Sequence, residues 1–281
     1  MPELPEVQTV VDELNAENLH GRTISDVRVY WAKTAATASP GILCRQLKGR
    51  SIQSIWRRGK YIVIDLCGGG HLLIHLRMTG KLYLTARYSR RKSHEHLMIR
   101  LDDGRRLTFH DTRKFGRFYL VADAGSVLDK LGPEPMSRQF TGRILHAKLK
   151  TRRRQIKPLL LDQTFIAGLG NIYVDEALWS ARIHPLRPGC TLELGEIKAL
   201  HRAIRSVLRQ GLRNAGTTLG NGKGNFVSPR RIRGSNRNAL KVFRRTGEGC
   251  PRCGRPINRI IVAQRSTHLC MHCQPGPFGT G

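Results

Sequence analysis

The chain has 281 residues, longer than one typical domain, and 40% of them are hydrophobic, enough for a sizeable buried core. Its 49 Lys and Arg face 20 Asp and Glu, for a formal charge of +29 and an isoelectric point near 11.0. An excess of that size repels itself and calls for a polyanionic partner, which excludes an ordinary small-molecule enzyme as the default reading.

The opening residues Met1-Pro2-Glu3-Leu4-Pro5-Glu6 hold neither a basic nor an apolar leader region. They predict a cytoplasmic, nucleoid-associated protein rather than a secreted one. No apolar run approaches the roughly 18 residues of a spanning segment, so nucleic acid is the expected polyanion and a membrane is not. Val7, Val10, Val11 and Leu14 recur at helical spacing, with Pro2 and Pro5 in the first turn and Gly21 past the end. Strand-like pieces follow at 24–30, 51–56, 61–67, 71–76, 81–84, 96–101 and 106–110, and Asp102-Asp103-Gly104 reads as a hairpin turn. A helix followed by an antiparallel sandwich is the expected fold for 1–125. Gly132-Pro-Glu-Pro135 marks a linker, after which 156–161, 171–181 and 194–214 read as helices. Residues 216–238 lack apolar period and are expected to be a mobile loop. The class is α+β.

The basic excess is concentrated in the second half, where Glu248 is the only acid between 221 and 260. That run leads into two CxxC pairs, Cys250-Pro-Arg-Cys253 and Cys270-Met-His-Cys273. Two such turns joined by a hairpin can hold one Zn2+ in tetrahedral sulfur coordination. Two disulfides are the alternative, which a reducing cytosol disfavours. Four thiolates leave no open position, so the zinc is expected to be structural. Cys44, Cys67 and Cys190 are scattered and read as ordinary buried or half-buried thiols.

If Met1 is removed, Pro2 carries a secondary amine with a pKa in the α-amino range, about 7.7–8.0. A helix N-terminus lowers it further, giving a neutral nucleophile near physiological pH. Glu3 and Glu6 lie three apart beside it and are suited to passing protons during attack on a sugar carbon. On these residues alone, a well-capped helix start is the simpler reading.

Six motifs in one order change the balance. They are Pro2-Glu-Leu-Pro-Glu-Val7, Gly59-Lys60-Tyr61, His75-Leu-Arg-Met-Thr-Gly80, Asp111-Thr-Arg-Lys-Phe-Gly116, Gly168-Leu-Gly-Asn-Ile-Tyr173 and the CxxC/CxxC tail. Together they closely resemble the formamidopyrimidine-DNA glycosylase (Fpg) family, which shares its fold with the endonuclease VIII (Nei) group. The resemblance implies an N-terminal helix and β-sandwich over 1–130, a helix–two-turn–helix domain over 131–240 and a zinc-finger hairpin over 241–281. DNA would occupy the cleft, bound by a monomer, and the substrate would be a duplex with an oxidised base or abasic site.

By the same resemblance, Pro2 attacks C1′ of the damaged nucleoside and forms a Schiff base. Glu3 donates the proton, Glu6 supports it, and Lys60 serves strand cleavage by β,δ-elimination. Arg265, between the cysteine pairs, grips phosphates beside the lesion and assists the δ step. Met78 and Phe115, in the wedge motifs His75-Leu-Arg-Met78 and Arg113-Lys-Phe115, fill the gap left by the flipped nucleotide, Arg113 contacts the orphaned base opposite, and His75, His94, Arg153 and Asn171 hold DNA. Glu176 is given a bracing role.

The chain departs from the family at Gly224-Asn-Phe-Val-Ser-Pro-Arg-Arg-Ile-Arg-Gly234, where a loop capping the everted base usually stands. Gln264 and Ser266 also replace the glycines often found beside the finger arginine. Oxidised purines are the expected substrates. Nei-like action on oxidised pyrimidines, or a non-catalytic zinc-ribbon binder of nucleic acid, are the alternatives.

Overall fold

The computed structural model describes residues 1–86, 90–220 and 226–276. By contact the chain divides into two compact units, Met1–Asp129 with Leu212–Arg237, and Lys130–Gly211 with Asn238–Gly281.

The first unit opens with α1 (Leu4–Ala16), whose Leu4, Val7, Val10, Val11 and Leu14 are all buried along one stripe. Its start is a capping box: Glu3 is the N-cap, and its backbone N–H donates to Glu6 Oε2 at 2.7 Å. Two antiparallel sheets follow. One has the order β2 (Ile52–Arg58), β3 (Tyr61–Leu66), β4 (His71–His75), β8 (Arg117–Val121); the other has β1 (Ile24–Val29), β6 (Glu95–Leu101), β7 (Arg106–His110), β5 (Lys81–Thr85). Their buried faces share one apolar core with α1, α2 (Pro40–Leu47) and Phe226. A single turn of helix, α3 (Gly125–Leu128), also belongs to this unit.

The second unit runs through α4 (Gly142–Leu149), α5 (Ile156–Leu161), α6 (Asn171–Ser180) and the long α7 (Leu194–Arg213). A hairpin of β9 (Asn258–Val262) and β10 (Arg265–Leu269) follows. Gly132-Pro-Glu-Pro135 is packed rather than slack. A Cβ on Gly132 would stand 2.6 Å from the Phe165 carbonyl carbon, and its N–H donates to Gln163 O at 2.8 Å.

Residues 212–237 differ from the expectation. The sequence places 131–240 in the helical domain with 216–238 as a mobile loop, whereas by contact Leu212–Arg237 falls in the first unit. Phe226 is 2% exposed in the sandwich core, Arg230 Nε bonds Glu17 Oε1 at 2.7 Å, and its N–H donates to Glu13 Oε2. The absence of helical period reflects a segment held by polar bonds and one buried aromatic. Residues 221–225 of that expected loop, and 277–281 of the expected zinc-finger segment, lie outside the described residues. The cysteine reading is also corrected: Cys67, in the turn after β3, and Cys190, in a short 3-10 helix (Gly189–Thr191), are exposed, and Cys44 is half-buried.

Candidate nucleic-acid interface and catalytic residues

In the first unit the expected catalytic groups gather at the start of α1 and the adjoining strand turns. Pro2 is buried beneath a half-buried Met1. With Met1 attached its nitrogen is an amide and cannot attack carbon. Glu3 and Glu6 are 2% and 1% exposed. Besides bonding Glu3, Glu6 accepts the Thr217 N–H on Oε1 at 2.7 Å. Thr217 is in turn held by Asn236, whose Nδ2 donates to Thr217 Oγ1 at 2.9 Å. Glu6 therefore joins the helix start to the 212–237 segment.

Lys60 lies in the turn between β2 and β3, where Gly59 takes φ +57°. Arg57 ties this turn to α1, donating to Gln8 Oε1 and to the Gly59 carbonyl. The Lys60 side chain is 4% exposed, and its charge is felt by His75 at the end of β4. Burial first, then the charges of Arg77 and Lys60, push the His75 imidazole down to about 3, so it is neutral at physiological pH. Its Nδ1 accepts the Arg77 N–H at 3.0 Å and its ring meets Tyr61 edge-on at 4.7 Å.

The residues expected to form the wedge sit on two neighbouring turns organised by Asp111, which the sequence did not single out. Asp111 is fully buried and its carboxylate accepts from Thr79 Oγ1 and from the N–H groups of Arg113, Phe115 and Gly116. The turn carrying Met78 and the turn carrying Arg113 and Phe115 are thus pinned to one carboxylate. Phe109 backs both: a Cβ on Gly80 would stand 2.8 Å from its ring and one on Gly116 2.1 Å. With their cores fixed, the turns present a half-buried Met78, an exposed Arg113 and a Phe115 that is 43% exposed. The Arg113 guanidinium lies 4.8 Å over the Phe115 ring. His94 is exposed at φ +65°, its ring 5.7 Å from that of His110. The signal for Asp111 was present in its motif: an acid before two turn-forming residues at the end of a strand.

In the second unit, Arg265 opens β10 and is exposed. The preceding Ala263 and Gln264 both take positive φ, +46° and +59°, in a two-residue hairpin turn that carries no glycine. The carbonyl of the next residue, Ser266, accepts from Asn171 Nδ2 at 2.8 Å and from Lys157 Nζ at 3.1 Å. Lys157 and Asp175, both fully buried, pair at 2.5 Å, and Asp175 Oδ2 accepts the His268 N–H at 2.9 Å. The Asn171 amide thus holds the hairpin from the first residue of α6. Arg153 is exposed ahead of α5. Glu176 is 4% exposed and accepts the N–H groups of Lys241, Val242 and Phe243 at 2.8–2.9 Å. It braces the chain entering the metal hairpin. Burial is the main influence on its carboxyl and raises its pKa, while those three bonds act in the opposite sense.

The Sγ atoms of Cys250, Cys253, Cys270 and Cys273 lie within 4.8 Å of one another. Cys253–Cys270 and Cys250–Cys273 are 3.5 and 3.9 Å apart. Tetrahedral Zn–S bonds of ~2.3 Å require sulfur separations of about 3.8 Å, so the cluster fits one zinc ion with no open position. The Trp179 indole donates to Cys250 Sγ at 3.4 Å, and Arg252 covers the same indole at 4.3 Å.

Comparison with known proteins gives a consistent family assignment. Family models match the formamidopyrimidine-DNA glycosylase N-terminal domain over residues 1–118, the formamidopyrimidine-DNA glycosylase H2TH domain over 131–221, and a zinc finger found in FPG and IleRS over 247–276. Formamidopyrimidine-DNA glycosylase of Protochlamydia amoebophila is 46% identical, covering 98% of this chain and 99% of its own. Wild-type Lactococcus lactis Fpg (MutM), in complex with DNA containing N7-benzyl-Fapy-dG, superposes with a TM-score of 0.90 at 36% identity, covering 98% of this chain and all of that one. The L. lactis Fpg complex with abasic-site DNA gives 0.89 at 36%, with the same coverage.

Proposed function

The chain belongs to the formamidopyrimidine-DNA glycosylase family, and from that premise we propose that it is a monomeric base-excision glycosylase and AP lyase acting on oxidised purines such as 8-oxoguanine and formamidopyrimidines in duplex DNA. The observation that carries the reading is the pairing of a capped helix start at Pro2–Glu6 with two rigid turns that present Met78, Arg113 and Phe115.

The chemistry follows from those groups. Removal of Met1 turns the Pro2 amide into a secondary amine, which the helix N-terminus favours in neutral form. Its lone pair attacks C1′ as the base departs, with the Glu3 carboxyl supplying a proton to the leaving side. The nitrogen loses its own proton, the C1′–O4′ bond breaks as O4′ takes up a proton, and an iminium forms with the opened sugar. That cation acidifies the C2′–H bond. Loss of this proton expels the 3′ phosphate, and a second elimination expels the 5′ phosphate. Lys60, buried beside a neutral His75, donates a proton in strand cleavage, and Arg265 neutralises charge on a departing phosphate. Glu6, with both oxygens occupied by backbone N–H groups, acts by holding the helix start in place.

Flipping a nucleotide costs a few kcal/mol, and apolar side chains inserted in its place recover part of the lost stacking. Phe115 and Met78 are suited to that insertion because the bonds to Asp111 fix their backbones in advance. When bound, zinc supplies a rigid anchor for the hairpin that carries Arg265, and takes no part in the bond changes. His94, Arg153 and Asn171 are assigned to the DNA contact, Asn171 through its hold on Ser266.

A lesion panel tests the substrate assignment. Excision of 8-oxoguanine and formamidopyrimidine well above oxidised pyrimidines is expected. Preference for oxidised pyrimidines would move the chain to the Nei-like reading, and tight binding with no scission to a non-catalytic one.

A further inference from the structure

The first unit contains a second basic feature that the glycosylase chemistry does not use. Beside β5, β6 and β7, a cavity of about 370 Å³ is walled by the sandwich on one side and by Val227, Arg231 and Arg233 on the other. Lys81, Lys92 and His110 line it from the sandwich, with Glu95 as the one acid. Glu95 is engaged by the Lys92 backbone N–H at 3.1 Å. Among the described residues no carboxylate pairs with Lys81, Arg231 or Arg233. The undescribed stretches 87–89 and 221–225 contain no Asp or Glu that would do so.

Two buried polar atoms in this wall have no hydrogen-bond partner among the described residues, Thr85 Oγ1 and His110 Nδ1. A buried polar atom left unbonded costs on the order of 1–3 kcal/mol, so a pair in one cavity points to a missing ligand. Each is able to donate a proton. Arg231 spans the opening with its guanidinium 5.2 Å over the Tyr83 ring, which orients the planar fork while leaving its N–H groups unspent. Lys81, His94 and His96 repel a proton on His110 after burial has already lowered its pKa, while Glu95 acts in the opposite sense. Unpaired cations and open donors around a concave space match a tetrahedral oxyanion.

We propose that this cavity binds a phosphate group, held by Arg231, Arg233, Lys81, His110 and Thr85. The two arginines belong to the 224–234 segment, the stretch read in the sequence as lacking the family's loop motif. A DNA backbone phosphate and free phosphate share the required chemistry. The neighbouring His94, assigned above to DNA, favours the backbone, and that choice alone rests on the proposed function.

The test uses the full chain and the exposed double substitution Arg231→Gln/Arg233→Gln. In one arm, inorganic phosphate is compared with chloride at matched ionic strength, following the His110 ring resonances and Tm. In the other, affinity for an undamaged duplex is titrated against salt. Undamaged DNA involves no excision, so this result stands apart from the glycosylase assay. A backbone site predicts affinity falling about tenfold in the variant and a log–log salt slope smaller by about 0.9. A free-phosphate site predicts a phosphate-dependent shift of His110 lost in the variant, with the DNA slope unchanged. If wild type and variant respond alike in both arms, the proposal is overturned.

Discussion

Glu6 and Thr217 stand far apart in the chain, and the carboxylate of the first accepts the backbone N–H of the second at 2.7 Å. Gly216, just before that N–H, takes φ +79°, and a Cβ there would lie 2.9 Å from Glu6 Cγ. Gly216→Ala is therefore expected to lose at least about 2 kcal/mol, since the left-handed conformation alone costs roughly 1–2 kcal/mol and the contact adds to it. Urea unfolding measures this. A substitution that leaves the midpoint unchanged would mean that the segment is not held against α1.

Asp111→Asn removes a charged acceptor shared by two turns. An amide in its place presents an N–H₂ to backbone donors that now bond oxygen, and a loss of about 2–4 kcal/mol is expected. Excision from an intact lesion should fall by at least tenfold, while cleavage of a ready-made abasic site falls less, because the proposed wedge acts in flipping. Equal losses on both substrates would contradict the role given to these turns.

His75 gives a pH dependence with a definite sign. Unfolded, it takes a proton near pH 6.5; folded, its pKa is held down to about 3 by burial and by the charges of Arg77 and Lys60. The unfolded state binds more protons between those values, so this contribution is present above pH 6.5 and is lost as pH falls towards 3. The slope reaches at most about 1.4 kcal/mol per pH unit. His75→Gln keeps an acceptor for the Arg77 N–H and should flatten the profile between pH 6 and 4. An unchanged profile would show that His75 takes up its proton in the folded state.

Much of the sandwich was legible in the sequence because its strands are short apolar and β-branched runs, several of them ending at glycines or an Asp-Gly turn. The strand β8 was passed over, although Phe118 is fully buried and pairs with Ile74; only Phe118 of its five residues is buried, too few for a period-2 signal. Helices α2 and α4 each bury only two leucines over eight residues, too few for a periodic signal, although Ser39 and Thr141 cap them. The cysteine cluster was fully legible, since its spacing alone determines the chemistry. The roles of Asp111 and of residues 212–237 were not, because they depend on contacts between distant parts of the chain.

Zinc removal separates the two units. Chelation, or Cys250→Ser, should release one zinc per chain and abolish DNA binding. The Lys157–Asp175–His268 contacts then lose the hairpin they hold. The sandwich core, which includes none of the cysteine ligands, should keep its thermal transition. Full DNA affinity in verified metal-free protein would refute a structural zinc.

Borohydride trapping on a duplex with a single 8-oxoguanine addresses the amine chemistry most directly. With Met1 removal verified by intact mass, a covalent protein–DNA adduct is expected, and peptide mapping should place it on Pro2. Absence of an adduct on both this duplex and one with an abasic site, or a crosslink mapping to Lys60 instead, would contradict a nucleophile at the chain's amino end.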